Sequence, residues 1–204
     1  MARPHPLLPR LREARVVPVV RTAAAAQAVR AVQWLRDAGL KTCEITMTAP
    51  GAPDLIRELA KEPDLLVGAG TVRDAASASA CLSAGATFIV APWIDPALAQ
   101  PCQKAGALLM LGGITPTEVR GALATGAHVV KVFPASSVGG PAHIRALRSV
   151  LPEADFCPTG GIEPPDVKAY LSAGAAFIGM GGALVGGDQS AVQRAARDVL
   201  EQAG

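Results

Sequence analysis

The chain has 204 residues, enough for one domain with a large core and for a compact single barrel. Half of it is hydrophobic but only 3% is aromatic, so the core is built mainly from Ala, Val, Leu and Ile, and a net charge of +2 spread over scattered basic residues leaves nothing pointing to nucleic acid or an anionic membrane. Cys43, Cys81, Cys102 and Cys157 form no CxxC pair and no metal-ligand spacing with His5, His128 or His143, which predicts free buried thiols in a reducing compartment.

The start, Met1 to Pro6, lacks an apolar signal core, and no later apolar run reaches membrane-spanning length, so the cytoplasm is the expected setting. A short N-terminal helical segment (1–15, with the helix itself at 7–14) comes first. Strands are then predicted at 16–20, 42–47, 65–70, 87–92, 107–111, 129–133, 155–158 and 176–180. Ala-rich helices follow them at 23–38, 53–61, 73–84, 95–105, 116–125, 141–150, 164–173 and 189–202. Strict alternation implies a parallel sheet, because each crossover returns the chain to the same end. Eight strands with eight following helices predict an α/β fold, one domain over 1–204 closed as a (β/α)8 TIM barrel. A doubly wound open sheet is the structural alternative.

The punctuation fits this alternation. Gly39, Gly85, Gly106, Gly126 and Gly174 each stand where a helix should end and a strand begin. Thr115-Pro116-Thr117-Glu118 reads as a capping box, and Asp95-Pro96 as a cap and first helical residue. Pro18 is the exception: inside the first strand it removes a ladder donor, so either the strand starts there or its pairing breaks.

Lys131 lies inside the apolar run Val129-Val130-Lys131-Val132-Phe133, whereas Lys41, Lys61, Lys104 and Lys168 fall among polar neighbours. Burying an unpaired ammonium is costly, so such a lysine sheds its proton or finds a partner. A neutral amine is a nucleophile towards carbonyl carbon; the plainer reading is a salt-bridged lysine near a strand end. If Lys131 points inward, Val129 and Phe133 do too, while Val130 and Val132 pack under helices. An inward Glu44 on strand two would bring Thr46 and Thr48 with it. Inward residues of alternate strands share layers, so Glu44 and Lys131 are expected to meet as a proton-transfer pair. The plainer reading of Glu44 is an ion-paired residue at the rim.

Barrel sites lie where strands end, and these ends carry Arg21, Thr48, Thr71, Pro92, Thr115, Phe133-Pro134, Thr159 and Gly181-Gly182. Gly160-Gly161 follows strand seven and Gly181-Gly182 follows strand eight, the usual barrel location for a phosphate. Without Cβ atoms their amides can approach its oxygens, although the same glycines also suit tight turns. Gly68 and Gly70 make no dinucleotide fingerprint, since no third glycine or following acid fits.

Five blocks together resemble the 2-keto-3-deoxy-6-phosphogluconate (KDPG) aldolases, a family with bifunctional members that also cleave 4-hydroxy-2-oxoglutarate (KHG). They are 16–21 (Val-Val-Pro-Val-Val-Arg), 43–46 (Cys-Glu-Ile-Thr), 67–72 (Val-Gly-Ala-Gly-Thr-Val), 130–135 (Val-Lys-Val-Phe-Pro-Ala) and 156–162 (Phe-Cys-Pro-Thr-Gly-Gly-Ile). The resemblance runs in order from 16 to 184. It implies a homotrimeric class I aldolase acting on a small-molecule 2-keto acid, with no metal or organic cofactor. Carried across, Lys131 would form the Schiff base and Glu44 would shuttle protons. Thr71 and Thr159 would position the pyruvyl portion, with Pro92 and Phe133 walling the pocket. Gly160, Gly161, Gly181 and Gly182 would hold the distal phosphate.

The chain departs from the family at three places. Thr48 stands where many relatives have arginine, so Arg21, at the end of the neighbouring strand, is expected to serve as the carboxylate's cation. Residues 111–115 (Leu-Gly-Gly-Ile-Thr) replace a Pro-Gly after strand five, and Trp93 replaces a smaller residue and is expected to narrow the mouth. The expected reaction is reversible cleavage of a phosphorylated 2-keto-3-deoxy sugar acid to pyruvate and glyceraldehyde 3-phosphate. The galactonate epimer and KHG compete as substrates. The rival readings are a phosphate-binding isomerase or epimerase that uses no imine, and a binding or scaffold barrel whose Lys131 is merely ion-paired.

Overall fold

The computed structural model describes residues 4–204; residues 1–3 of the expected N-terminal segment lie outside them. Helix α1 (Leu8–Ala14) leads into β1 (Val16–Val20), α2 (Ala25–Asp37), β2 (Thr42–Thr46), α3 (Ala52–Leu59), β3 (Leu66–Gly70) and α4 (Ala75–Ser83). The chain continues through β4 (Phe88–Val90), α5 (Ala99–Ala105), β5 (Leu108–Gly112), α6 (Pro116–Thr125), β6 (Val129–Val132) and α7 (Gly140–Val150). It ends with β7 (Phe156–Pro158), α8 (Val167–Ser172), β8 (Ile178–Met180), a short α9 (Gly182–Val185) and α10 (Gln189–Ala203).

The strands run in the order β7-β6-β5-β4-β3-β2-β1-β8, each paired in parallel with its neighbours. The remaining seam, between β7 and β8, is closed by the bridge from Thr159 to Gly179. There the Ala176 N–H also donates to the Phe156 carbonyl at 2.9 Å. The sheet is therefore a (β/α)8 TIM barrel and not an open doubly wound sheet.

Local chemistry sets the element boundaries. Gly39, Gly85, Gly106, Gly126 and Gly174 all take positive φ at helix ends, the conformation a Cβ resists. Thr115 and Glu118 close the expected capping box, and the Asp95 side chain accepts from the Ala97 N–H. Helices α5 and α8 start later than predicted, because 96–98 and 164–166 are single 3-10 turns ahead of them. β4 also falls short of its predicted end, and the ladder runs out at Pro92, which has no N–H to donate. Pro18 lies inside β1 and keeps register with Met180 of β8, but the ladder to β2 begins only at Val19. On that side the Thr42 hydroxyl donates to the Val16 carbonyl at 2.7 Å.

Strand alternation divides the core in two. Val130 and Val132 join the layer under the helices, with Ile45, Val67, Ile89 and Leu109. Val129 faces the interior with Phe88, Val90, Leu108, Met110, Cys157 and Phe177. Leu8 and Leu11 of α1 join this inner cluster, so α1 plugs the end of the barrel where β1 begins. Arg12 reinforces it through an ion pair with Asp155 at 2.6 Å. With that end filled, the open end of the barrel is the one where the strands finish. No helix among the described residues is long and apolar enough to cross a membrane.

Candidate active site

The strand ends converge on a cavity of about 450 Å³, the size of a small-molecule site. Its wall includes Arg21 after β1, Glu44 of β2, Thr71 after β3, Pro92 after β4, and Lys131 and Phe133 on and after β6. Thr159, Gly160 and Gly161 enter after β7, and Gly181 and Gly182 after β8. Every residue to which the family resemblance gives a role is therefore brought to one cavity.

Lys131 alone of the lysines is buried. Its Nζ lies 3.4 Å from Glu44 Oε1, with the two side chains 6% and 5% exposed. That separation exceeds the roughly 2.7–2.9 Å of a tight charge-assisted bond, so the amine is partnered but not clamped. The Phe133 ring, centred 6.0 Å from Nζ, is exposed and forms a wall above the lysine. An amine and a carboxylate in contact on the floor of a cavity can exchange protons with a carbonyl substrate.

Strand glycines make room for these polar groups. A Cβ on Gly70 would fall on the carboxylate of Glu44, and one on Gly179 would fall on the Thr159 hydroxyl. Thr159 Oγ1 also lies 3.7 Å from the Cys157 sulfur. Thr71 holds φ at +56°, a region that β-branched residues seldom occupy and that recurs at functional sites. Beyond Thr159 the chain turns through Gly160 (φ +94°) and Gly161 (φ +68°). A Cβ on Gly160 would press on the Phe133 ring at 2.9 Å and one on Gly161 would strike Ser136, whereas at Gly182 nothing lies within 4 Å.

Several sequence expectations need correction here. Thr46 and Thr48 do not line the cavity: their hydroxyls meet at 2.8 Å, and that of Thr46 donates to the Val20 carbonyl. Thr115 is also off the wall and forms the capping box expected of it. Trp93 is exposed and outside the cavity wall, so it does not narrow the mouth there. Its backbone meets β5 instead, where the missing Cβ of Gly112 leaves space for the carbonyl of Pro92 and the amide of Trp93. Sequence reasoning missed Val19, Ile162, Glu163, Gly179, Ala183 and Val185 on the wall. Of these only Gly179 carried a signal, as a glycine inside a strand.

The four cysteines are free and buried, as expected. Burial pushes the Cys157 thiol up to about 12, although the positive charge of Lys131 opposes the rise. Cys157 stands beside Lys131 in register yet offers no thiolate near neutral pH. No group of three His, Cys, Asp or Glu suited to a metal occurs among the described residues.

The sequence model described as Aldolase: KDPG and KHG aldolase matches residues 8–202. The KHG/KDPG aldolase of Escherichia coli (strain K12) is 33% identical, over 92% of this chain and 92% of its own length. The 2-keto-3-deoxy-6-phosphogluconate aldolase of Zymomonas mobilis ZM4 with 3-phosphoglycerate has a similar structure, at TM-score 0.84 and 29% identity over 94% of each chain. The KDPG aldolase of Legionella pneumophila, with pyruvate captured as a covalent carbinolamine intermediate, matches at TM-score 0.77. It is 28% identical, over 93% of this chain and 92% of its own.

Proposed function

Because the chain belongs to the KDPG and KHG aldolase family, we propose that it is a class I aldolase that reversibly splits KDPG into pyruvate and glyceraldehyde 3-phosphate, and KHG into pyruvate and glyoxylate. The observation that carries this reading is the buried Lys131 amine, 3.4 Å from Glu44 at the floor of the cavity.

In this reading Lys131 passes a proton to Glu44, its amine attacks the ketone carbon of the 2-keto acid, and loss of water leaves a protonated imine. Glu44 supplies and removes protons during these steps. It then takes the proton of the C4 hydroxyl, the C3–C4 bond breaks, and its electrons pass into the imine. An aldehyde leaves and a pyruvate enamine stays on Lys131 until it is protonated and hydrolysed. Arg21, with its fixed positive charge, faces the carboxylate, while Thr71 and Thr159 orient the pyruvyl portion and Pro92 and Phe133 shield it. Gly160, Gly161, Gly181 and Gly182 cradle the phosphate at the far end. The carbinolamine in the Legionella enzyme and the 3-phosphoglycerate with the Zymomonas enzyme support these two halves by analogy.

The working form proposed is a homotrimer in a reducing cytoplasm, a setting that suits free thiols. Sedimentation equilibrium should give three times the 20.7 kDa chain mass, and a lighter particle would remove the trimer. The reaction is tested by coupling pyruvate release to lactate dehydrogenase, with KDPG, its galactonate epimer and KHG supplied in parallel. Faster release from KDPG than from the epimer is expected. No pyruvate from any of the three would overturn the reading.

A further inference from the structure

A second cavity, of about 360 Å³, adjoins the first between the β1–α2 turn, α2 and the segment after α9. The two share Arg21 and Val185. On the far wall, Gln27, Arg30 and Trp34 lie along one face of α2 at the helical spacing i, i+3, i+7. No acid lines this cleft. Neither Arg21 nor Arg30 has an ion pair among the described residues. Asp54 and Glu58 line the neighbouring groove with Arg30; Asp54 is engaged by Arg57, and Glu58 forms no ion pair with Arg30. The first turn of α2 has no side-chain cap and no acid, so it does nothing to offset the positive potential.

We infer that this cleft is a second anion site that takes a phosphate group, free or on a short carbon chain, between Arg21 and Arg30. Two guanidiniums without partners present forked donors to phosphate oxygens, and the Gln27 amide adds another. The half-buried indole of Trp34 gives a short carbon chain an apolar surface. Arg21 also lines the catalytic cavity, so an anion in the cleft draws on the cation proposed for the substrate carboxylate. Two ligands that compete for one guanidinium weaken each other, and the effect is reciprocal. The cleft thus gives the protein a way to lower its affinity for 2-keto acids when phosphate compounds accumulate. Binding in the cleft stands on its own geometry, whereas the coupling rests on the aldolase reading.

The test uses the full chain with Trp93→Phe, which leaves Trp34 as the sole indole. Inorganic phosphate and glycerol 3-phosphate are titrated at constant ionic strength while Trp34 emission is followed. A saturable change is expected with both, with the ester binding more tightly if the indole contributes. Arg30→Ala should weaken binding by about 10-fold or more, the effect of losing a charged hydrogen-bond partner. No saturable change, or equal affinity in Arg30→Ala, would overturn the site. Pyruvate trapping on Lys131 is then measured against phosphate concentration. Half-saturating pyruvate should rise about 5-fold or more in the parent. It should stay flat in Arg30→Ala and still rise in Gly182→Val, where the proposed cradle is altered. A rise that persists in Arg30→Ala would mean that phosphate acts only inside the catalytic cavity. Absence of trapping altogether would count against the aldolase reading, leaving the fluorescence result to decide the cleft.

Discussion

Gly70 and Glu44 share one space: a Cβ built on Gly70 would overlap the carboxylate of Glu44. β3 therefore carries glycine where β2 needs room for its acid, and the acid is held against Lys131 as a result. Gly70→Ala should displace the carboxylate rather than the barrel, because a side-chain end can move more cheaply than a strand. We expect kcat to fall by about 10²-fold with the thermal midpoint nearly unchanged, in the range set by loss of acid–base catalysis. Circular dichroism melts beside kcat measurements would check this, and full activity would show that Glu44 tolerates the shift.

Removing the proton-transfer function itself is the sharper change. Glu44→Gln keeps the size of the side chain and its contact with Lys131 but cannot exchange protons. Turnover should drop by about 10²–10⁴-fold. Unchanged turnover in a folded variant would make Glu44 a structural partner of the lysine.

The two glycine pairs differ as sites for testing phosphate recognition. Gly161 holds φ at +68° and abuts Ser136, so a side chain there would strain the loop whatever its effect on substrate. At Gly182 a Cβ meets nothing within 4 Å. Gly182→Val should therefore fold normally and weaken KDPG cleavage much more than KHG cleavage, read as kcat/KM for each. Equal losses would mean that this loop does not recognise phosphate, and KHG would become the better substrate assignment.

Thiol chemistry should be silent. With the Cys157 thiol pushed up to about 12, it stays protonated as pH rises through 6 to 9. At pH 8 the thiolate fraction is about 10⁻⁴, too small for attack by alkylating reagents. Prolonged iodoacetamide at pH 8 should leave pyruvate release intact. Rapid inactivation with modification at Cys157 would contradict the burial that sets this value.

The parts of the barrel legible in the sequence were those governed by local chemistry. The glycines at 39, 85, 106, 126 and 174 end helices because only they adopt positive φ cheaply, and each occupies that conformation. Strand parity was enough to bring Lys131 and Glu44 into contact across 87 residues of chain, since inward positions on even strands share a layer. Thr46 and Thr48 stay off the cavity wall, because β2 ends at Thr46 and its hydroxyl turns to the Val20 carbonyl. Gly70 fits no nucleotide motif, but a glycine within a strand also marks a close approach by a neighbouring group. The α9 turn and the Arg21–Arg30 cleft depend on how distant loops meet, which no local pattern encodes.

The central claim is that Lys131 forms an imine with a 2-keto acid, and pyruvate with borohydride tests it most directly. Reduction should fix one pyruvyl group per chain, and peptide mass spectrometry should map it to Lys131, with Lys131→Arg giving no adduct because a guanidinium stays protonated. Labelling at one of the exposed lysines instead, or none where a known class I aldolase is labelled, would contradict the mechanism.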